Sequence, residues 1–193
     1  PANTLPLHDA LPISRAAEPG YDFIVQGIGG LMSITGERDD LPGGGPQKVG
    51  VAFSDLMTGL YSTVAIQAAL LSREKTGLGQ HIDMALLDVQ VATLCNQSQN
   101  YLASGKAPGR YGNAHANIVP YQVFRASDQD FIIACGNDSQ FVALCEAIGL
   151  THLPEDPRFT RNAERVANRE AIIEILSAHF LQGRAEEWIG RVH

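Results

Sequence analysis

Residues 55–75 form an apolar segment with the pattern of a long helix, and this segment limits the possible folds more than any other. Charge is confined to its end, at Arg73, Glu74 and Lys75. A helix that is apolar all round is stable when other elements surround it, so the pattern predicts a helix inside a protein core. Gly77 is placed to end this helix. The apolar positions, which cover nearly every face, are Leu56, Met57, Leu60, Tyr61, Val64, Ile66, Leu70 and Leu71.

The segments around this helix predict a mixed α/β fold. Residues 21–35 carry a helical apolar stripe, and their glycines at 27, 29 and 30 indicate close packing against another backbone. Residues 80–86 alternate polar and apolar side chains and predict a strand. A predicted helix then runs from Asp88 to about residue 103. A strand between helices favours βαβ units.

The second half of the chain predicts a smaller α+β domain. Residues 119–124 and 131–135 read as paired strands, after a glycine-rich loop over 105–117. Helices are predicted over residues 139–148, capped by Asn137 and Asp138 and ending at Gly149, and over 168–181. We therefore predict two domains, one at 15–105 and a smaller one at 106–193.

Residues 1–14 are expected to be a leader that does not belong to the fold. Residues 4–14 follow neither a helical nor a strand period, and His8 to Ile13 match the translated adapter codons CAC GAC GCT CTT CCG ATC. We interpret 1–14 as non-native, with native sequence lost before about Arg15. A proline-rich disordered leader is the alternative.

Composition excludes several classes of function. A net charge of -7 offers no basic face for nucleic acid or for anionic membranes. No apolar run reaches the roughly 18 residues that span a membrane. Three widely spaced cysteines predict buried free thiols, no zinc site and a reducing, cytoplasmic location. The chain lacks the GxGxxG, P-loop, GxSxG and HExxH motifs, and its scattered histidines support no metal site.

Two carboxylates are candidates for chemistry. Asp55 and Asp88 each stand at the start of a predicted helix. Each is readily explained as a helix N-cap, because aspartate is preferred there. A carboxylate at a helix N-terminus also stays ionised in the field of the helix dipole and can act as a nucleophile. The residue types alone leave the choice between Asp55, Asp88 and simple capping open.

Other polar positions have equally open interpretations. Tyr21 is either an interface tyrosine with a hydrated hydroxyl or a ligand contact. His115 is either a surface histidine or a polar group of an active site. Residues 43–45 are three glycines and read as a flexible loop, because no helix start follows to make a phosphate site.

Several stretches together resemble the family III CoA-transferases of the CaiB/BaiF type, which include formyl-CoA transferase, carnitine CoA-transferase and 2-methylacyl-CoA racemase. The stretches are YDFIVQGIGGLMSITGE, KVGVAFSDLMTGLYSTVAIQAALLSREKTGLGQHIDMALLD, GNAHANIVPYQVF and ACGNDSQFVALCEAIGL, in that order. The family's catalytic aspartate follows a VGxxxxD-like segment, so the resemblance selects Asp55. It implies a mixed-anhydride and aspartyl-CoA mechanism with acyl-CoA and a carboxylic acid as substrates, and no permanent cofactor.

The resemblance also implies roles for other residues. The racemase branch has a histidine where this chain has Tyr21, which favours a transferase in which Tyr21 lies near CoA. Gly112, Asn113 and His115 resemble the mobile glycine loop over the active site. That loop is less glycine-rich than in formyl-CoA transferase and is more like dicarboxylate-using relatives, such as those that use succinate.

The family fold implies a Rossmann-like large domain, here partial, and a small domain truncated at its C-terminus, in an interlocked homodimer. We expect this piece to be inactive and poorly stable alone. The alternatives are a racemase or epimerase on the same scaffold, and a non-catalytic remnant that binds CoA esters.

Overall fold

The computed structural model describes residues 20–192, so the predicted leader at residues 1–14 lies outside the described residues. The chain divides into two compact units, which meet in sequence between Gly112 and Asn113. Each unit consists of helices joined by loops, and the second also contains a β-hairpin. The two-domain division at 15–105 and 106–193 remains a prediction.

The elements of regular secondary structure in the described part of the first unit are all helices. The middle helix α3 packs against α1 and α4, and α1 also packs against α2 and α4. Gly29 is closely packed, but against a side chain and not against another backbone as predicted: an added Cβ would lie 2.5 Å from Cγ of Gln90. The helices are α1 (Asp22–Ile28), α2 (Leu31–Ile34), α3 (Phe53–Thr76), α4 (Leu86–Ala92) and α5 (Asn96–Ser104).

The α3 helix is confirmed, but its predicted burial is wrong for this structure. It ends as expected at Gly77, whose left-handed backbone lets its N–H donate to the carbonyl oxygen of Arg73. Of its described residues only Ser54 is buried, whereas Leu71 is 68% exposed. The reason is that α1 and α4 cover only part of a helix that is apolar on every side.

Two further predictions in the first unit are wrong. Residues 80–85 are irregular rather than a strand, because no strand of the described chain lies beside them to supply a hydrogen-bonding partner. The helix predicted from Asp88 to residue 103 is broken between α4 and α5, where Cys95 has a positive φ of 48°. The βαβ units that the sequence favoured are therefore absent from residues 20–192.

The second unit contains the predicted hairpin and helices. The strands are antiparallel, with Tyr121 opposite Ala134, and begin and end within two residues of the prediction. Asn137 caps the next helix, because its side chain accepts a hydrogen bond from the Gln140 N–H at 2.9 Å. The elements are β1 (Tyr121–Arg125), β2 (Asp130–Ala134), α6 (Asp138–Ile148), a 3₁₀ turn (Leu153–Glu155), α7 (Asn162–Ala167), α8 (Arg169–Phe180) and α9 (Ala185–Val192).

An aromatic cluster forms the centre of this unit. The ring of Phe180 contacts Phe124, Phe131 and Trp188 edge-on, with centroids 5.1, 5.0 and 5.6 Å apart. The indole N–H of Trp188 donates to the carbonyl oxygen of Phe180 at 2.9 Å. Edge-to-face pairs of this kind add specific stabilisation beyond the burial of apolar area. The core therefore joins the hairpin to α8 and α9.

A fully buried arginine ties α7 to the loops beside the core. The Arg165 guanidinium donates to the carbonyl oxygens of Val119 at 2.7 Å and Phe159 at 2.9 Å, and to the Asp138 carboxylate at 2.7 Å. Its Cζ lies 4.3 Å from the ring centroid of Phe141. A buried cation is tolerated only with such partners, so this side chain links four segments of the unit.

The three cysteines are free, and their reactivities are expected to differ. Burial raises the pKa of the Cys135 thiol to about 11 and that of Cys145 to about 12. Cys95 is exposed at the break between α4 and α5, which corrects the prediction that all three are buried. Since the thiolate is the reactive form, iodoacetamide near neutral pH should label Cys95 in the folded chain and spare the other two. Peptide mass spectrometry with a urea-unfolded control checks this, and equal labelling of all three in the folded chain would contradict it.

Candidate active site

The start of α3 presents Asp55 on the third residue of the helix. The N-cap position belongs to Ala52, so Asp55 is not the N-cap. Its side chain is exposed and makes no hydrogen bond or ion pair with any residue from 20 to 192. The N-terminal end of a long helix favours a negative charge there. Asp55 is therefore a carboxylate at the positive end of a helix with no partner in the described chain.

The side-chain cap of α3 comes from another helix. One oxygen of Asp22, at the start of α1, accepts from the backbone N–H of Ser54 at 2.7 Å and of Asp55 at 3.4 Å. The other oxygen accepts from Nε2 of Gln26 at 2.7 Å. The first turn of α3 is thus capped by a residue more than thirty positions earlier in the chain. Sequence reasoning missed Asp22.

A buried polar network holds this arrangement in place. Gln26, Ser54 and Gln90 are fully buried. The Gln26 side chain accepts from the Val49 N–H at 2.9 Å, and the Ser54 hydroxyl donates to the Gln90 side chain at 2.6 Å. Because buried polar groups are costly unless they are paired, this network sets the relative positions of α1, α3 and α4. The available signal was Asp22 one helical turn before Gln26, among otherwise apolar neighbours.

Tyr21 and Asp88 stand at the starts of α1 and α4, the two helices that contribute Gln26 and Gln90 to this network. Tyr21 is the N-cap residue of α1, immediately before Asp22, and its side chain is 66% exposed. Asp88 lies in the first turn of the short helix α4 and is also exposed, and the N-cap there is Ala85. Tyr21, Asp55 and Asp88 therefore all belong to the first unit.

The predicted glycine loop begins at the end of the first unit. Gly112 has a φ of +57°, and its N–H donates to the carbonyl oxygen of Gly36 at 3.1 Å. A Cβ at this position would lie 2.7 Å from Oε1 of Glu37, so only glycine fits. Just before it, Arg110 donates to the carbonyl oxygen of Ser33 at 3.0 Å and pairs with Asp39. The start of the loop is firmly anchored.

Asn113 and His115 belong to the second unit, where Asn113 is exposed. Nδ1 of His115 accepts from the Asn117 N–H at 3.0 Å, and its ring lies 5.3 Å from that of Tyr121. Arg169 donates to the carbonyl oxygen of His115 at 2.8 Å. Because Nδ1 accepts a hydrogen bond, neutral His115 carries its proton on Nε2 and offers an N–H donor.

Among residues 20–192, no three His, Cys, Asp or Glu side chains come together as metal ligands would. No helix in that same stretch is long and apolar enough to cross a membrane.

Comparison with known proteins identifies the family. The model of CoA-transferase family III matches residues 13–193. The chain therefore belongs to CoA-transferase family III, as its sequence predicted. The mixed helix and strand structure also agrees with that of a CaiB/BaiF family protein from Brucella suis, with a TM-score of 0.69 and 52% identity over 92% of this chain and 46% of that one.

Individual relatives carry CoA-transferase names. The chain is 52% identical to the succinate–glutarate CoA-transferase of Agrobacterium fabrum (strain C58), covering 84% of this chain and 40% of that protein. It is 42% identical to the acetyl-CoA:oxalate CoA-transferase of Acetobacter aceti, covering 91% of this chain and 44% of that protein. The chain thus spans less than half the length of these curated relatives.

Proposed function

We propose that the whole protein is an acyl-CoA:carboxylate CoA-transferase in which Asp55 is the nucleophile. The observation that carries the proposal is the Asp55 carboxylate itself, which stands at the positive end of a helix while other groups occupy the N–H donors of that helix. Such a carboxylate keeps its oxygens available for substrate. The CoA-transferase names of the relatives support the same reaction class.

The proposed reaction conserves the Asp55 carboxylate. An Asp55 oxygen attacks the acyl carbon of the donor thioester, the C–S bond breaks, and CoA leaves as the thiolate. The thiolate attacks the aspartyl carbonyl of this mixed anhydride, giving an aspartyl-CoA thioester and the free donor acid. The acceptor carboxylate attacks the aspartyl carbonyl, the C–S bond breaks, and a second anhydride forms with release of the CoA thiolate. The thiolate then attacks the acyl carbon of the acceptor, which gives the new CoA thioester and frees the Asp55 carboxylate. A carboxylate is a weak nucleophile toward thioesters, so proximity and exclusion of water supply the rate.

We propose a dicarboxylate such as succinate as one substrate. Support comes from the relative named for succinate and glutarate, which is more similar to this chain than the one named for oxalate. Tyr21 would lie near bound CoA, and the loop of Gly112, Asn113 and His115 would be the glycine loop over the active site. The Nε2–H donor of His115 is suited to a carboxylate oxygen.

We further propose that the whole protein completes a Rossmann-like large domain, forms a homodimer and acts in the cytoplasm without a permanent cofactor. The apolar side chains that α3 exposes support the first two points, because such a helix is stable when further elements cover it.

Trapping the acyl-enzyme tests the nucleophile. The whole protein incubated with succinyl-CoA and hydroxylamine should accumulate a hydroxamate at Asp55, because hydroxylamine cleaves the anhydride and thioester at the aspartyl carbonyl. Peptide mass spectrometry locates the change, and a reaction without succinyl-CoA is the control. A hydroxamate at another residue, or exchange of the substrate's α-proton in deuterated water without CoA exchange, would count against the proposal; the second result would indicate a racemase.

A further inference from the structure

We propose that Asp22 is a positioning residue for Asp55: it caps the first turn of α3 in place of Asp55 and so leaves the Asp55 carboxylate free to reach a substrate. The inference rests on the proposed function for the role of Asp55, but the cap itself is a feature of the described structure.

The N–H donors at the start of α3 are all occupied. Ser54 and Asp55 donate to Asp22. The N–H of Phe53 donates to the carbonyl oxygen of Val51 at 2.8 Å, and that of Leu56 to the carbonyl oxygen of Ala52 at 3.0 Å. An aspartate in the first turn of a helix ordinarily satisfies such donors itself. Here none remains, so Asp55 has no reason to fold back onto its own helix.

Asp22 is itself held on both carboxylate oxygens. Gln26 donates to the oxygen that does not cap α3, and the buried Gln26 amide is in turn fixed by the Val49 N–H. The bonds from backbone N–H groups to a carboxylate are charge-assisted and therefore strong. With its oxygens engaged, Asp22 acts on the reaction through the position of α3 and not by contact with substrate.

Removing the cap should free donors that compete for Asp55. In Asp22→Ala, the N–H groups of Ser54 and Asp55 lose their acceptor, and the Asp55 carboxylate, in the same first turn of α3, is an anion that can replace it. A catalytic group displaced by about 1 Å can lose about 100-fold in rate. We therefore expect kcat of the whole protein to fall about 100-fold, with KM for succinyl-CoA nearly unchanged.

Asp22→Asn separates the cap from the charge. Asparagine caps helices about as well as aspartate, because its side-chain oxygen still accepts from the backbone. Both variants lose the bond from Gln26 to a carboxylate. The difference in kcat between them therefore measures the effect of capping the N–H groups of Ser54 and Asp55. We expect Asp22→Asn to keep kcat within about 10-fold of wild type. Glu74→Ala, at the far end of α3, is the matched control and should leave kcat unchanged.

Amide hydrogen exchange provides a measurement that does not depend on activity. Exchange at Ser54 and Asp55, resolved by NMR, should be faster in Asp22→Ala and close to wild type in Asp22→Asn. The amides of α4, which belongs to the same unit as Asp22, report whether that unit of each variant is folded. If Asp22→Ala does not fold, the comparison of Asp22→Asn with wild type still applies.

The outcomes separate the two proposals. Unchanged exchange at residues 54 and 55 in Asp22→Ala would overturn the cap, whatever the activity. Loss of activity in Asp22→Asn as severe as in Asp22→Ala, with the two amides still protected, would show that the charge acts directly and would overturn the positioning role. Absence of CoA transfer by the wild-type protein would instead overturn the proposed function and leave the exchange result to decide the cap.

Discussion

Replacing Asp55 by asparagine is expected to reduce CoA transfer by at least about 1000-fold in the whole protein, because an amide of nearly the same shape cannot form the anhydride. The Asp55 side chain makes no bond within residues 20–192, so the fold should be little affected. Loss of its interaction with the helix dipole should lower the free energy of unfolding by no more than about 1 kcal/mol. Steady-state transfer from succinyl-CoA, together with chemical denaturation of the same variant, measures both effects.

Asp88→Asn is the matched control for Asp55→Asn. Asp88 is also an exposed acid in the first turn of a helix in the same unit, so general effects of removing such a charge are common to both variants. CoA transfer should persist in Asp88→Asn, and the substitution should at most lower the free energy of unfolding. The nucleophile would have to be sought elsewhere if Asp55→Asn kept its rate, or if the two variants lost activity equally.

Replacing Arg165 by methionine is expected to lower the free energy of unfolding of the second unit by about 3 kcal/mol or more. Methionine fills similar space but donates no hydrogen bond. The buried carbonyl oxygens of Val119 and Phe159 would lose their bonds from the guanidinium, and the ring of Phe141 would lose a cation. The partner carboxylate of Asp138 is half-exposed and can turn to water, so the loss of the ion pair itself matters less. Urea denaturation followed by tryptophan fluorescence of Trp188 measures the change.

Arg158→Met is the control for Arg165→Met. Arg158 also pairs with an aspartate, Asp156, and also lies over a ring, that of Phe159, but its side chain is 55% exposed. Its removal should change the free energy of unfolding little, because water can form the hydrogen bonds that Asp156 loses. Similar losses in the two variants would mean that burial of the guanidinium is not the source of the effect.

The Arg165 interaction also predicts a pH dependence. The hydrogen bond from Arg165 holds the pKa of the Asp138 carboxyl below its ordinary value. The native state therefore binds fewer protons at this group than the unfolded chain does. The stability that Asp138 contributes is present above the ordinary aspartate pKa and is lost as the pH falls through the lowered one. Arg165→Met should remove most of this acid dependence.

Among the predictions made for helices and strands, those that were confirmed depend on interactions between residues close in the sequence, and those that depend on distant segments were wrong. Helices α6 and α8 and the β1–β2 hairpin were predictable because their apolar period, caps and turns lie within about a dozen residues. The prediction of a strand at residues 80–86 was wrong. Alternating polar and apolar residues allow a segment to pair as a strand, but no partner strand lies beside it in the described chain. The burial predicted for α3 depended on elements that the apolar pattern cannot locate.

The sequence alone determined the family, the position of the long helix and Asp55 as the carboxylate at its start. Whether that carboxylate is free to react depends on contacts between segments that are far apart in the sequence. Capping by Asp22 joins residues more than thirty positions apart, and a buried donor of Arg165 reaches the carbonyl oxygen of Val119, 46 positions away. A periodic pattern records which face of an element is apolar, but it contains no information on which polar groups meet across elements. Those contacts form only when burial forces each buried donor and acceptor to find a partner.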